Sequence, residues 1–206
     1  SSSSGGGSSL SVVTDGSEQQ GTPDTPGMGG MGFQDLPQGH WAQEAIYHLA
    51  DQGIVSGDAG ANTIRPEADI TREETVKVLL GAMGISPAPV AGNAPEGVSE
   101  WAKDYMVAAQ NRGIIQGDET GALHGQDSIT RIDAMVMIAR AISASGGSEQ
   151  DLAAFTDQAA IPGYARQAVA DLVHMGVISG YEDGSIGAGR TITRAELFVL
   201  VDRAMN

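Results

Sequence analysis

The sequence predicts an all-α protein made of three helix-loop-helix repeats that share one core. Three observations carry this. Four landmarks recur in fixed order at intervals of about 60 residues: an aromatic (Trp41, Trp101, Tyr164), a glycine (Gly53, Gly113, Gly176), a second glycine (Gly57, Gly117, Gly180) and a threonine (Thr71, Thr130, Thr193). Apolar residues between these landmarks return at the 3.6-residue period of a helix. Each threonine opens a polar tetrad, "TREE", "TRID" or "TRAE", that reads as a helix start ahead of an apolar run.

In chain order, residues 1–32 come first and are mostly Ser, Gly, Thr and Pro. So few large apolar groups cannot offset the entropy of ordering, so the segment reads as a flexible linker, with Leu10–Val13 a short candidate strand. A linker here suggests a larger partner upstream. The repeats follow as residues 33–90, 91–146 and 147–206.

The first helix of each repeat is expected to turn an apolar face inward: Trp41, Ala45, Ile46, Leu49 and Ala50; then Trp101, Tyr105, Ala108 and Ala109; then Tyr164, Ala168, Val169, Leu172 and Val173. On this reading the three aromatics belong to the core, although they could also stack on sugar rings. Gly53, Gly113 and Gly176, each followed by Ile or Val, have the pattern of a helix C-terminus that ends in a left-handed glycine. The loops "GDAGANTIRPEAD", "GDETGALHGQDS" and "GYEDGSIGAGRT" are turn-rich, with room for a residue or two of extended chain. The second helices carry the stripes Val76, Leu79, Leu80, Met83; Ile132, Met135, Val136, Ala139, Ile142; and Leu197, Leu200, Val201, Ala204, Met205, with Phe198 beside the last. Two helices cannot bury both stripes alone, which is why one shared core is expected.

Within each tetrad, threonine followed three positions later by an acid is a capping box. Thr71, Thr130, Thr193, Glu74, Glu196 and Asp133 are therefore structural caps, each box worth roughly 0.5–2 kcal/mol. Asp133 is shorter than Glu and should close its box less well. Arg72, Arg131 and Arg194 fit less easily, because the first turn of a helix disfavours a cation. Two readings stand side by side. A guanidinium beside free helix N–H groups makes a carboxylate or phosphate site. Alternatively each arginine pairs with a loop acid such as Asp69 or Asp127, or packs its stem between repeats.

Composition narrows the function. There are 26 acidic residues against 11 basic ones, a formal charge of −15, which argues against nucleic acid or anionic lipid as partner. No cysteine is present, which removes thiolate catalysis and Cys-based metal sites. No apolar run approaches the roughly 18 residues of a membrane span, and no membrane insertion is expected. His40, His48, His124 and His174 lack metal-site spacing and read as surface residues. "GYEDGS" and "GDETG" lack the ligand alternation of a calcium loop. No nucleophile motif, P-loop or catalytic carboxylate pair appears, so neither catalysis nor a cofactor is expected.

Together these residues resemble three tandem S-layer homology repeats. The resemblance rests on the openings Phe33-x-Asp35 and Phe155-x-Asp157, the middles "GIVSG", "GIIQG" and "GVISG", and the ends "ITREE", "ITRID" and "ITRAE". It covers about residues 33–206 and implies a pseudo-threefold helical spindle with grooves between repeats. It also implies a non-catalytic carbohydrate-binding module that anchors a larger exported bacterial protein to secondary cell-wall polysaccharide, outside the cell. Such polysaccharide commonly carries pyruvate ketals. By that resemblance Arg72, Arg131 and Arg194 would hold the ketal carboxylate. Gly57, Gly117 and Gly180 would let the backbone approach the sugar, and Asp58, Asp118 and Tyr181 would meet its hydroxyls. Repeat two departs from the pattern: "NAPEGVSEW" replaces the Phe-x-Asp opening and Asp133 replaces Glu, which puts the groove depending on repeat two in doubt. Arginine-to-alanine changes are expected to abolish wall retention and leave thermal unfolding nearly unchanged. The other reading is a protein-protein assembly module of a surface layer, with the arginines as interface ion pairs.

Overall fold

Helices form where the apolar period places them. The computed structural model describes residues 32–206, and both the linker reading of residues 1–31 and the candidate strand at Leu10–Val13 lie outside the described residues. The first helices are α1 (Gln43–Asp51), α3 (Lys103–Asn111) and α6 (Arg166–His174), and the second helices are α2 (Arg72–Ala82), α4 (Arg131–Ala141) and α7 (Arg194–Met205). One short helix, α5 (Glu149–Leu152), goes beyond the sequence reading. Its signal was present in Ser148-x-x-Asp151, where the Ser148 N–H donates to the Asp151 carboxylate at 2.8 Å.

Each first helix ends as its glycine requires. Gly53, Gly113 and Gly176 adopt φ of 72°, 71° and 75°. The following N–H reaches back to the last helical turn, as in Ile54 N to Leu49 O and Ile114 N to Ala109 O, both at 2.9 Å. At the other end, Trp101 and Tyr164 lie in 3₁₀ turns ahead of α3 and α6 rather than within them. Both are exposed, so the expectation that they belong to the core is corrected. Met106 and Ala109 line the buried face of α3 instead.

The repeats exchange helices. Each first helix packs on the second helix of the preceding repeat, α3 on α2 and α6 on α4, and the ring closes with α1 on α7. The second helices also touch one another at the centre, α2 with α4 and α7, and α4 with α7. That position explains why burial exceeds the predicted stripe. In α4 every residue from Arg131 to Ala139 except Asp133 is buried, because neighbours surround the helix.

On the axis the isoleucine before each tetrad completes a triangle. Ile129 N donates to Ile70 O at 3.0 Å, Ile192 N to Ile129 O at 3.2 Å, and Ile70 N to Ile192 O at 3.3 Å. All three side chains are buried. Next to them Asp69, Ser128 and Thr191, the last loop residues, supply extended chain paired as isolated antiparallel bridges, such as Ser128 with Thr71. Further out, Ile64, Leu123 and Ile186 plug each loop into the core. The Phe-x-Asp openings hold two of these loops in place: Asp35 accepts from Ile64 N and Arg65 N at 2.8 and 2.7 Å, and Asp157 from Ile186 N and Ala188 N at 2.8 and 2.9 Å. Repeat two uses a substitute. Gly97 O accepts from Gln126 N at 3.0 Å, and buried Glu73 takes the Ser99 N–H and hydroxyl at 2.9 and 2.6 Å.

Candidate functional site

The tetrads build a cyclic clasp. Thr71 Oγ1 accepts from Glu74 N at 3.2 Å, Thr130 Oγ1 from Asp133 N at 3.1 Å, and Thr193 Oγ1 from Glu196 N at 3.2 Å. In repeat one the reciprocal bond from Thr71 N to Glu74 completes the box. Each arginine then reaches into the next repeat. Arg131 Nε donates to Ile186 O at 2.9 Å and its Nη1 to Glu196 at 3.1 Å. Arg194 Nε donates to Ile64 O at 2.9 Å, and its Nη1 bonds Glu74. Arg72 Nε donates to Leu123 O at 3.2 Å and its Nη1 to Asp133 at 3.4 Å. The capping acid of one repeat is thus also the partner of a neighbouring repeat's guanidinium.

This geometry corrects two expectations. The arginines pair with capping acids of other repeats, not with Asp69 or Asp127. Nor are the first helical N–H groups free: Arg72 N donates to Asp127 O, Arg131 N to Arg190 O and Arg194 N to Ala68 O, at 3.0, 2.9 and 2.9 Å. Loops of neighbouring repeats satisfy the donors that a helix start leaves over. The helix dipole still opposes the arginines, and charge-assisted bonds to the acids outweigh it.

Two grooves open beside the clasp, and each draws on all three repeats. The repeat-two groove, about 700 Å³, is walled by the loop at Gly117 and Asp118 and by Asp133 and Arg140 of α4, with Arg72 from repeat one and Tyr164 from repeat three. The repeat-one groove, about 540 Å³, is walled by Gly57 and Asp58 and by Glu74 and Lys77 of α2, with Arg194 from repeat three and Trp101 from repeat two. Trp101 is 49 % exposed and Tyr164 66 % exposed, so a ring face stands available at each rim. Lys77 Nζ lies 5.5 Å from the Trp101 ring centroid. The Tyr164 hydroxyl donates to Asp133 at 2.6 Å. Desolvation and that carboxylate push its pKa up to about 12. Asp133 also shapes this groove, because its shorter side chain leaves Arg72 at a longer distance and partly exposed.

The third position around the axis is filled. Tyr181 stands where the other loops have Asp58 and Asp118, and its hydroxyl bonds Glu196. The Arg131 and Arg190 guanidiniums lie 4.6 and 4.4 Å from its ring centroid. Burial, followed by the Glu196 bond, pushes the phenol up to about 12. Gly187 permits this, since a Cβ there would lie 2.7 Å from the Tyr181 ring and 2.8 Å from Arg131 Cδ. Beneath the ring, Arg131 has 0 % side-chain exposure and offers no surface to a ligand. Repeat two, doubted on sequence grounds, has the open groove, and repeat three has the filled one.

The structure therefore gathers Arg72, Gly117 and Asp118 at one groove and Arg194, Gly57 and Asp58 at the other, while Tyr181, Gly180 and Arg131 lie at the filled position. The second glycines answer to their own loops. A Cβ on Gly57 would meet Asn62 Oδ1 at 2.5 Å, one on Gly117 the Gly121 carbonyl at 2.7 Å, and one on Gly180 the Phe155 ring at 2.7 Å. Asp58 pairs with Arg65 at 2.7 Å, and Asp118 accepts from Thr120 N and Ala122 N at 2.7 and 3.1 Å. Sequence reasoning did not single out Lys77, Arg140, Arg65 or a groove role for His124, because their helical or loop positions look like ordinary surface. His40 differs from its expected surface setting: its side chain is 11 % exposed and its Nδ1 accepts from Ala42 N at 3.1 Å. Among the described residues no cluster of metal-ligating side chains occurs, and no helix is long and apolar enough to cross a membrane.

Three helical repeats closed into a ring, with aromatic and cationic side chains at the grooves between them, define a binding module made by repetition. Three segments, residues 32–76, 96–135 and 154–198, match the S-layer homology domain, and the chain belongs to that family. It is similar to an amylopullulanase of Thermoanaerobacterium thermosulfurigenes, 28 % identical over 82 % of this chain and 9 % of that protein. It is also similar to a surface-layer 125 kDa protein of Lysinibacillus sphaericus, 26 % identical over 80 % of this chain and 14 % of that one. A third relative is exoglucanase XynX of Acetivibrio thermocellus, 27 % identical over 82 % of this chain and 16 % of the relative. The chain thus spans less than a fifth of each of these relatives, and the two enzymes match through their S-layer homology region. The chain is a cell-wall-anchoring module of the cell surface.

Proposed function

We propose that this module holds a larger exported protein to secondary cell-wall polysaccharide by binding acidic sugars, pyruvate-ketal residues above all, in the grooves of repeats one and two. The observation that carries the reading is the shared plan of these grooves: an exposed aromatic ring beside lysine or arginine, framed by a polar loop. A ring face suits the apolar face of a sugar, and a cation beside it suits a carboxylate. Arg194 and Arg72 serve as anion-facing walls held in place by their acids, with Lys77, Arg65 and Arg140 supplying exposed positive charge. Arg131 acts as structural support. Two weak sites on one rigid body, repeated over many copies of a surface protein, give firm attachment by avidity. The assembly-module reading makes the arginines interface ion pairs, whereas Arg72, Arg131 and Arg194 each pair with an acid of their own chain.

The test is a pull-down on purified wall polysaccharide before and after mild acid removal of its ketals. Wild type should bind only the untreated preparation, and Trp101→Ala with Tyr164→Ala should abolish retention without unfolding the protein. Retention on ketal-free polysaccharide would assign recognition to the sugar hydroxyls. Failure to bind either preparation would overturn the wall-polysaccharide reading.

A further inference from the structure

The two open grooves share a plan, and one of their differences is a loop position. Arg65 and His124 occupy equivalent places with left-handed backbone, φ of 50° and 53°, and Gly187 takes the place in the filled repeat with φ of 81°. Arg65 pairs with Asp58, its Nε 2.7 Å from Oδ2. His124 places Nε2 2.7 Å from Asp118 Oδ2 and Nδ1 3.2 Å from Asp127 Oδ2. Both ring nitrogens therefore face carboxylates. A neutral imidazole has one N–H, so only the imidazolium satisfies both contacts. Arginine keeps its charge at any physiological pH.

The surrounding charges make this difference count. In the repeat-one groove Arg65, Lys77 and Arg194 stand against Asp58, Glu73 and Glu74. Across the repeat-two groove Arg72, Arg140 and protonated His124 face the carboxylates of the loop, Asp118, Glu119 and Asp127, and Asp133 of α4. Tyr164, from the third repeat, stays a neutral donor. Loss of the His124 proton leaves two cations against four carboxylates, and one of Asp118 and Asp127 loses its imidazole donor.

We infer that this loop residue sets each groove's preference for an anion, so that the repeat-one groove binds a carboxylate-bearing sugar equally well at any physiological pH and the repeat-two groove binds it more tightly while His124 is protonated. The inference rests on the proposed function. The Asp118 bond, with Asp127 adding to it, raises the His124 pKa above that of an ordinary histidine. The groove therefore binds most tightly below that raised value and loses affinity as pH climbs through it. Asp118 itself is held well below the usual carboxylate range, mainly by Thr120 and His124, and stays ionised throughout.

The experiment is an NMR titration of the full ¹⁵N-labelled chain with a pyruvate-ketal monosaccharide between about pH 5.5 and 8.5, a range that brackets histidine titration. The Gly57 and Gly117 amides report the two grooves separately. At Gly117 the affinity should fall about two- to fivefold as pH rises, the scale of one exposed ion pair, while at Gly57 it stays constant. His124→Arg should remove the pH dependence, and Arg65→His should transfer it to the repeat-one groove. Equal pH profiles at both amides, or an undiminished dependence in His124→Arg, would overturn the inference and leave the groove reading intact. Absence of shifts at both amides at every pH would overturn both.

Discussion

Removing Arg131 separates a structural arginine from a ligand-binding one. Its side chain is fully buried, and its guanidinium bonds the Ile186 carbonyl and Glu196, whose own side chain is only 13 % exposed. Arg131→Ala would leave both acceptors short of a donor in a low-dielectric setting, a loss of about 3–5 kcal/mol. Against a typical domain stability of about 5–15 kcal/mol that is a large fraction. For a chain of this size it lowers Tm by about 6–20 °C. Arg72→Ala breaks a longer contact in a partly exposed place, with side chains 17 % and 30 % exposed, and should lose about 1–2 kcal/mol. Guanidinium-induced unfolding followed by far-ultraviolet circular dichroism gives both values. The double variant with Glu196→Gln isolates the pair, with a coupling of about 1–3 kcal/mol expected. A loss below about 1 kcal/mol for Arg131→Ala would refute the clasp and restore the expectation that arginine changes spare thermal unfolding. Equal losses for Arg131 and Arg72 would refute the separation of a buried arginine from a groove-facing one.

Thr71→Ala removes the cap of α2 and should cost about 1 kcal/mol, read as a lower denaturation midpoint with an unchanged slope. Tyr181→Asp gives the third loop the acid of the other two, removes the ring over Arg131 and leaves Gly187, where a Cβ would meet Arg131, unchanged. The number of ketal sugars bound per chain, read by native mass spectrometry, should rise from two to three; a value still at two counts against Tyr181 as the occluding group. Gly147→Ala drives a Cβ to within 2.2 Å of the Ala170 carbonyl carbon, backbone that cannot rotate away, so a loss of at least about 1–3 kcal/mol is expected in thermal unfolding.

Much of the fold was legible because it rests on local rules. Threonine followed by an acid three residues later marks a cap wherever it occurs, and Gly53, Gly113 and Gly176 mark helix ends through backbone sterics alone. The site was legible only in outline. Arg72 and Arg194 stood out as cations in unfavourable positions, but their partners Asp133 and Glu74 lie 61 and 120 residues away in sequence, and no local pattern reveals such a pairing. Trp101 and Tyr164 share a helical period with buried residues, yet a 3₁₀ turn rotates them off the helix face. Repeat two looked weakest because it lacks Phe-x-Asp. Glu73, a residue of repeat one, takes over part of that work. Tyr181 carried the opposite lesson, since filling a groove and lining one demand the same residue type.

The isoleucine triangle also fixes copy number. Each of Ile70, Ile129 and Ile192 gives one backbone bond and takes one, and the third bond returns to the first residue. No strand edge is left on the axis for a further unit to join. Open solenoids lengthen or shorten by whole repeats because their ends stay compatible with one more neighbour. This ring offers no such end. Deleting one repeat would strand a donor and an acceptor in the core, and adding one would force the triangle apart. In this chain the three repeats therefore form one closed unit, and the differences among them, as at Tyr181 and His124, sit inside a fixed count of three.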